Sequence, residues 1–388
     1  MTTLPRFLRD PGVHFFLFGP RGTGKTTWLK ATHPDALWID LLEPDVEREL
    51  TARPEKLRRM VEAGAGPGVV IVDEVQRAPE VLTVVHRLME DRKGHYRFIL
   101  TGSNSRKLKR AHVDLLGGRA LKRAMHPFLA AEIGPSFDLE KTLVTGMVPA
   151  VWNHPSPSEA IRAYLSLYIR EEVKMEGLVR DLGGFNRFLE AVSFSHGGVL
   201  NLAAIARECE VGRSTVSGYL DVLEDLMLSF RLPVFTRRAK RHLTRHDKLY
   251  LFDAGVYRTL RPSGPLDQPE EMGGAALEGL VAQHLRAWID YSQASLSLYY
   301  WRTKSGTEVD FVLYGSDGLF ALEVKSHARV FPKDLRGLKA FREDYPMARV
   351  ALLHGGPRPL LIDGIPCLPC RDFLGALVPG DPLPIAEA

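Results

Sequence analysis

The sequence predicts an α/β fold in several domains, and three observations carry that prediction. A glycine-rich loop links an apolar strand-like run to a helix-like one. A second buried-strand run ends in two acids, and two apolar stretches near the C-terminus pair across a turn, with acids and a lysine at alternating positions. At 388 residues the chain exceeds one ordinary core, so two or three domains are expected.

Gly19 to Thr26 fills every fixed place of the Walker A pattern G-x-x-x-x-G-K-S/T, with the apolar run His14 to Phe18 before it and the helix-like Thr27 to Ala31 after it. Glycines let successive backbone N–H groups turn toward phosphates, and the helix N-terminus adds its positive dipole end. The expected nucleotide-binding residues are Gly19, Arg21, Gly22, Thr23, Gly24, Lys25, Thr26 and Thr27. Lys25 would reach the β and γ oxygens and Thr26 would ligate Mg²⁺. ATP and Mg²⁺ are the implied cofactors.

A phosphate cradle needs a metal carboxylate on a neighbouring strand, and the run Gly68 to Val72 ends in Asp73 and Glu74. This reads as a Walker B strand: Asp73 would hold Mg²⁺, and Glu74 would polarise the water that attacks the γ-phosphate. A third apolar run, Tyr96 to Leu100, leads into Thr101-Gly102-Ser103-Asn104, where Ser103 or Asn104 would sense the γ-phosphate. ATP hydrolysis is the reaction these three segments imply.

Apolar residues make up 45% and charged residues 25%, the composition of a soluble globular protein. No stretch approaches the ~18 to 20 apolar residues of a membrane span. Met1 to Asp10 lacks an apolar leader, so the expected compartment is cytoplasmic, with no membrane partner. Three cysteines, Cys209, Cys367 and Cys370, are too few for a disulfide framework or a four-thiolate site; Cys367 and Cys370 have the spacing of half a zinc site or a redox pair.

The net charge of +4 is unevenly placed, because Arg237 to Lys248 holds six cations against one acid. Such clustering suits a polyanion, whose phosphates release counterions when neutralised. Just upstream, Leu202 to Cys209, the turn Glu210 to Gly212 and Arg213 to Glu224 have helix-turn-helix spacing, with Leu202, Ile205, Val211, Val216, Leu220 and Leu223 as the packing face. Ser217 and Tyr219 are expected on the polar side of the second helix, with the basic stretch following as a wing. DNA is the expected partner. Its predicted contacts are Arg213, Ser214, Thr215, Arg237, Arg238, Lys240, Arg241 and Arg245.

Further on, Gly306 to Leu313 and Leu319 to Lys325 read as paired strands. Alternation puts Glu323 and Lys325 on one face, near Asp310. Glu278, on an amphipathic helix Ala275 to Trp288, would complete the acid set. Glu278, Asp310 and Glu323 would hold a second divalent ion while Lys325 orients or activates water, which is nuclease chemistry in outline. Short patterns of this kind also occur in ordinary hairpins.

Over nearly its whole length the chain resembles bacterial and archaeal AAA-type ATPases that join a P-loop domain to a winged helix and a nuclease-like C-terminal domain. Beyond Walker A, the resemblance rests on Val72-Asp73-Glu74-Val75-Gln76 with Pro79, on Leu100 to Ser103, and on Leu115 to Arg119 with Pro127 and Glu132. Further downstream it rests on Lys248-Leu249-Tyr250 with Asp253-Ala254-Gly255, on Glu278 to Val281, and on Tyr300-Trp301-Arg302 leading into Glu308 to Phe311. The resemblance implies that Glu278, Asp310, Glu323 and Lys325 match the quartet of the PD-(D/E)xK nuclease superfamily, with Val309 where that pattern has proline. It also implies a homo-oligomer, a hexameric ring in which an arginine of one subunit completes the site of its neighbour. Arg119 is the expected finger and Arg106 the alternative.

The expected fold class is therefore a P-loop NTPase parallel-sheet core, a helical winged-helix domain and an α/β restriction-endonuclease-like C-terminal domain. The expected limits are 1–135 for the ATPase core, 136–195 for a helical connector, 196–262 for the winged helix and 270–388 for the nuclease-like domain, with the proline-rich Arg261 to Pro269 as linker. The expected function is a Mg²⁺-dependent ATPase that remodels or translocates on DNA, structured or branched, with a metal-dependent nuclease at its C-terminus. Two rivals remain: a nucleotide-gated DNA-binding switch with an inactive nuclease fold, and a protein-remodelling chaperone.

Overall fold

The computed structural model describes residues 4–64, 66, 68–103, 116–169, 179, 181–237, 241, 243, 246–265 and 267–385. The chain divides into two compact units: Leu8–His126 with Asp225–Met227, and Met1–Phe7 with Pro127–Glu224 and Leu228–Ala388.

The smaller unit is built on a five-stranded parallel sheet, with β1 at Phe15–Phe18, β2 at Leu37–Asp40, β3 at Gly68–Asp73, β4 at Tyr96–Gly102 and β5 at Leu121–Ala124. Spatial order is β2-β3-β4-β1-β5. Strand β1 is buried throughout, as a parallel strand covered on both faces must be, and this explains its unbroken run of large apolar residues. Phe16, Phe18, Val70, Val72, Phe98 and Leu100 form a core with Val81, Leu82, Val85 and Leu88 of the helix Val81–Asp91. All five strands point the same way, so the loops after β1, β3 and β4 share one edge. The chain steps from β1 out to β2, returns through β3 and β4, and then crosses to β5. The carboxyl end of β1 is thus the switch point where open α/β sheets bind ligands.

The larger unit contains two sheets. Strands β6 (Gly198–Val199), β7 (Ser229–Leu232) and β8 (Lys248–Leu251) pair antiparallel in the order β6-β8-β7. Between β6 and β7 lie the helices Leu202–Glu208 and Arg213–Asp225. Asn201 caps the first through its side chain on the Ala204 N–H at 3.1 Å, and Glu210 takes a left-handed φ of 57° in the turn. Ile205, Val216, Leu220 and Leu223 are buried, whereas Leu202 and Val211 are half-buried. Tyr219 is a correction: it is buried against Phe185 and Phe188, with ring centroids 5.1 and 5.2 Å away.

The second sheet has six strands: β9 (Leu296–Arg302), β10 (Glu308–Gly315), β11 (Gly318–Lys325), β12 (Arg349–His354), β13 (Leu360–Ile362) and β14 (Ile365–Pro369). Order is β13-β14-β12-β11-β10-β9, with the β11-β12-β14 pairings parallel and the others antiparallel. The long helix Pro269–Ser292 covers one face, packing Leu277, Val281 and Leu285 with Phe311, Leu313 and Leu322. The helix Arg336–Asp344 covers the other, packing Leu338 and Phe341 with Trp301, Val309 and Val312. Alternation breaks between Val309 and Val312, and Asp310 lies in that irregularity, the position at which a bulge re-aims a side chain.

The segments expected as winged helix and nuclease-like domain fall in one compact unit and are bridged. Phe235 donates its N–H to the Tyr300 carbonyl at 2.7 Å, Tyr300 donates back to Pro233 at 3.0 Å, and Leu243 bridges to Thr303. Within the basic stretch, Leu243 thus lies beside the end of β9. Cys367 and Cys370 pack in different core clusters, so the structure does not bring them together as a metal or redox pair.

Asp253 caps the helix Ala254–Leu260, accepting from Gly255 at 2.9 Å and Val256 at 3.1 Å, and also from Met147 at 2.7 Å. A Cβ on Gly255 would come within 2.3 Å of the Thr145 backbone, while one on Gly218 would meet nothing within 4 Å. Gly255→Ala is expected to destabilise the chain by about 1–3 kcal/mol. Gly218→Ala, in a helix interior, is expected to stabilise it by about 0.5–1 kcal/mol, and denaturant unfolding of both variants checks the pair.

Candidate nucleotide site and C-terminal charge cluster

The loop after β1 is held by its own sequence. Gly22 and Gly24 adopt φ of 80° and 90°, where a side chain would be strained. A Cβ on Gly19 would lie 2.5 Å from the Met125 carbonyl. Thr23 is buried and donates its hydroxyl to the Pro20 carbonyl at 2.8 Å. Lys25 is buried too, its Nζ 2.7 Å from the Gly19 carbonyl and 3.4 Å from that of Pro20, so the ammonium points into the loop. Arg21 and Thr27 are exposed at its rim.

Asp73 ends β3 almost fully buried. Thr26 donates its hydroxyl to Asp73 Oδ2 at 3.0 Å, and the Thr101 hydroxyl donates to Oδ1. Burial pushes the Asp73 carboxyl up, with the neighbouring Glu74 charge adding to the shift, while the hydroxyls of Thr101 and Thr26 oppose it. A hydroxyl and a carboxylate oxygen converging at the end of the phosphate loop fit a hard, oxygen-seeking cation, so Thr26 and Asp73 are the residues that would hold Mg²⁺.

Glu74 turns out of the strand with a left-handed φ of 58°, an uncommon conformation for an acid, and its N–H donates to the Thr101 hydroxyl at 3.0 Å. Its carboxylate accepts from the Gln76 amide and from the Ser103 hydroxyl at 3.4 Å; Gln76 also reaches Ser103 at 3.1 Å. The structure thus brings Ser103, rather than a distant group, to the candidate base. Asn104, the other sensor candidate, lies outside the described residues. Gln76 was not assigned a role from sequence, although its place two residues beyond Glu74 was the available signal.

Arg119 stands just before β5 and pairs with Glu90 at 2.9 Å, both side chains half exposed. Because β5 runs parallel to β1, the start of β5 lies at the opposite sheet edge from the phosphate loop. Arg119 is therefore remote from the site of its own chain.

Arg213 and Ser214 are exposed at the start of their helix and Thr215 is half-buried. Arg237 is exposed, with its guanidinium 5.0 Å from the Tyr314 ring centroid. Arg241 is committed elsewhere, at 3.0 Å from Asp344 and 2.7 Å from Glu343. Arg238, Lys240, Arg245 and the alternative finger Arg106 lie outside the described residues.

Of the C-terminal quartet, Glu278 and Asp310 share an additional cation, while Glu323 and Lys325 pair with each other. Glu278, Glu308 and Asp310 all pair with Lys248 of β8: Nζ is 2.9 Å from Glu278 and 3.3 Å from Asp310. Tyr250, two residues along the same strand face, donates to the same Glu278 oxygen at 2.6 Å. Asp310 uses its other oxygen to accept the Val324 N–H at 2.9 Å. Lys325 pairs with Glu323 at 2.6 Å, and Arg302 with Glu308 at 2.9 Å. Lys248 is 2% exposed, so the sequence-based tally of surface charge in the basic stretch is corrected: this lysine faces inward.

Burial raises the Glu278 carboxyl to about 7, with Asp310 adding to the shift and Lys248 opposing it. Burial, then Asp310, likewise holds the Glu323 carboxyl well above the usual range. The neighbouring carboxylates Glu323 and Asp310 keep Lys325 protonated against the opposing effect of burial. Among the described residues no group of three or more His, Cys, Asp or Glu side chains is arranged to hold a metal ion. Within the predicted second metal set, Glu278 and Asp310 pair with Lys248, while Glu323 pairs with Lys325.

Comparison with known proteins places this geometry. Residues 14–134 match the AAA domain family. The nucleotide site lies within the segment that matches this family. Residues 136–267 and 273–373 match two domains of unknown function, DUF8612 and DUF4143. Uncharacterized proteins of Mycobacterium bovis and Mycobacterium tuberculosis are each 26% identical over 367 residues, covering 92% of this chain and 80% of theirs. Among solved structures, Cdc6p from Pyrobaculum aerophilum is 14% identical, covers 66% of this chain and 88% of its own, and has a TM-score of 0.26. Protein VC1899 from Vibrio cholerae is 13% identical, with coverage of 93% and 95% and a TM-score of 0.23. Scores this low carry no argument. No helix among the described residues is long and apolar enough to cross a membrane.

The raised Glu278 pKa has a signed consequence. Between the ordinary glutamate value of 4.5 and about 7 the folded chain binds more protons at this site than the unfolded one. The stability contribution is therefore full below about pH 4.5 and is lost as pH rises through about 7. In urea titrations from pH 4.5 to 7.5, Glu278→Gln is expected to flatten that decline relative to wild type; parallel stability profiles would contradict it.

Proposed function

We propose that this chain is a Mg²⁺-dependent ATPase that couples hydrolysis to remodelling of, or movement along, DNA. The observation that carries the catalytic part is the set Lys25, Thr26, Asp73, Glu74 and Ser103, gathered at the carboxyl edge of one parallel sheet. Backbone N–H groups of the loop and the Lys25 ammonium would bind the phosphates, and Thr26 with Asp73 would hold the metal. Bound there, Mg²⁺ would offset the negative charge of the β- and γ-phosphates. Glu74, set at the turn after β3, would accept a proton from the attacking water, with Gln76 and Ser103 fixing its carboxylate. Arg119 would serve a neighbouring subunit, since it lies at the far sheet edge from its own loop, and this supports assembly into a ring.

DNA is supported by the exposed Arg213 and Ser214 at the start of the second helix of a helix-turn-helix pair, and by the exposed Arg237 beyond it. Structured or branched DNA is the substrate class this reading favours. For the C-terminal half the geometry favours a nuclease-like frame that grips without cutting, because Lys248 stands among its acids.

ATP turnover is expected to rise with DNA, more with a four-way junction than with duplex, and to fall steeply with salt. Arg213→Ala should weaken that stimulation while leaving DNA-free turnover unchanged; turnover indifferent to every DNA form would overturn the coupling. Glu74→Gln should bind nucleotide yet lose about 10²–10⁴-fold in kcat. Lys25→Ala and Arg119→Ala chains, each inactive alone, should recover activity on mixing, because an intact loop then meets an intact finger. No recovery in a mixed oligomer would remove Arg119 from this role.

A further inference from the structure

We propose that Lys248 is the resident cation of the C-terminal acid cluster, so that Glu278, Glu308 and Asp310 form an ionic lock around an ammonium and not a divalent-metal site. Three carboxylates from two elements, the helix Pro269–Ser292 and strand β10, converge on one Nζ. Tyr250 adds a hydroxyl to the Glu278 oxygen that already accepts from Lys248, and Val324 takes the Asp310 oxygen that faces away from it. Glu278 Oε1 and both Asp310 oxygens thus already accept hydrogen bonds.

The lysine is also fixed from behind. Lys248 is paired within its sheet to Val199 of β6 and Leu232 of β7, so its Cα cannot withdraw without opening the ladder. Its side chain has no solvent path of its own, being 2% exposed, and the ammonium sits 5.5 Å from the Tyr300 ring centroid. A buried ammonium needs acceptors for its hydrogen bonds, and the acids around Lys248 supply them. A divalent ion and Lys248 are therefore alternatives at this place.

Titration of the nucleotide-free full chain with Mn²⁺, read by loss of the free-ion paramagnetic resonance signal, separates these alternatives. Wild type and Asp310→Asn are expected to bind the same amount of Mn²⁺, because Asp310 holds none. Lys248→Met, checked for native circular dichroism, is expected to take up one further equivalent at least tenfold more tightly, and Lys248→Met with Asp310→Asn to lose it. An equivalent in wild type that Asp310→Asn removes would overturn the proposal. So would a folded Lys248→Met chain with no uptake that depends on Asp310. Should Lys248→Met fail to fold, the comparison of wild type with Asp310→Asn decides alone.

Discussion

Burying charge at the edge of a sheet is the constraint on which both sites depend. A carboxylate removed from water must be paired or hydrogen-bonded, and an ammonium likewise. In the larger unit that requirement draws together elements far apart in sequence: Lys248 on β8, Glu278 on the long helix, and Glu308 and Asp310 on β10. Once β8 is tied there, the residues before it run along β9, through Phe235 and Leu243, and Arg241 falls beside Asp344. Much of what makes the three-stranded and six-stranded sheets one compact unit follows from that lysine and its acids.

The smaller unit solves the same problem differently. Asp73 is as buried as Lys248, but its partners in the site are the hydroxyls of Thr26 and Thr101. Hydroxyls satisfy a carboxylate without neutralising it, which leaves the place open to a hard cation arriving with nucleotide. An ammonium neutralises it and closes the place. Two strand acids, Asp73 and Asp310, thereby acquire different chemistry from what stands beside them.

The parts that were legible in the sequence are local. A parallel strand buried on both faces shows as a run such as Phe15 to Phe18, and the phosphate loop shows as glycines at fixed spacing, since φ of 80° and 90° exclude side chains there. The pairing of Glu323 with Lys325 follows from strand alternation. What was not legible depends on tertiary contact. Lys248 reads as one more cation in a basic run, and only the pairing of β8 with distant acids turns it inward. Tyr219 reads as part of a polar helix face until Phe185 and Phe188 cover it. The irregularity at Asp310 leaves no mark in an otherwise alternating strand.

Hydrolysis at the loop is tested most directly by phosphate release from ATP by the purified chain with Mg²⁺, beside Asp73→Asn. Turnover in wild type, falling at least about a hundredfold in a folded Asp73→Asn chain, is the result it predicts. Absence of turnover in wild type across added DNA forms, or turnover that survives Asp73→Asn, would contradict it.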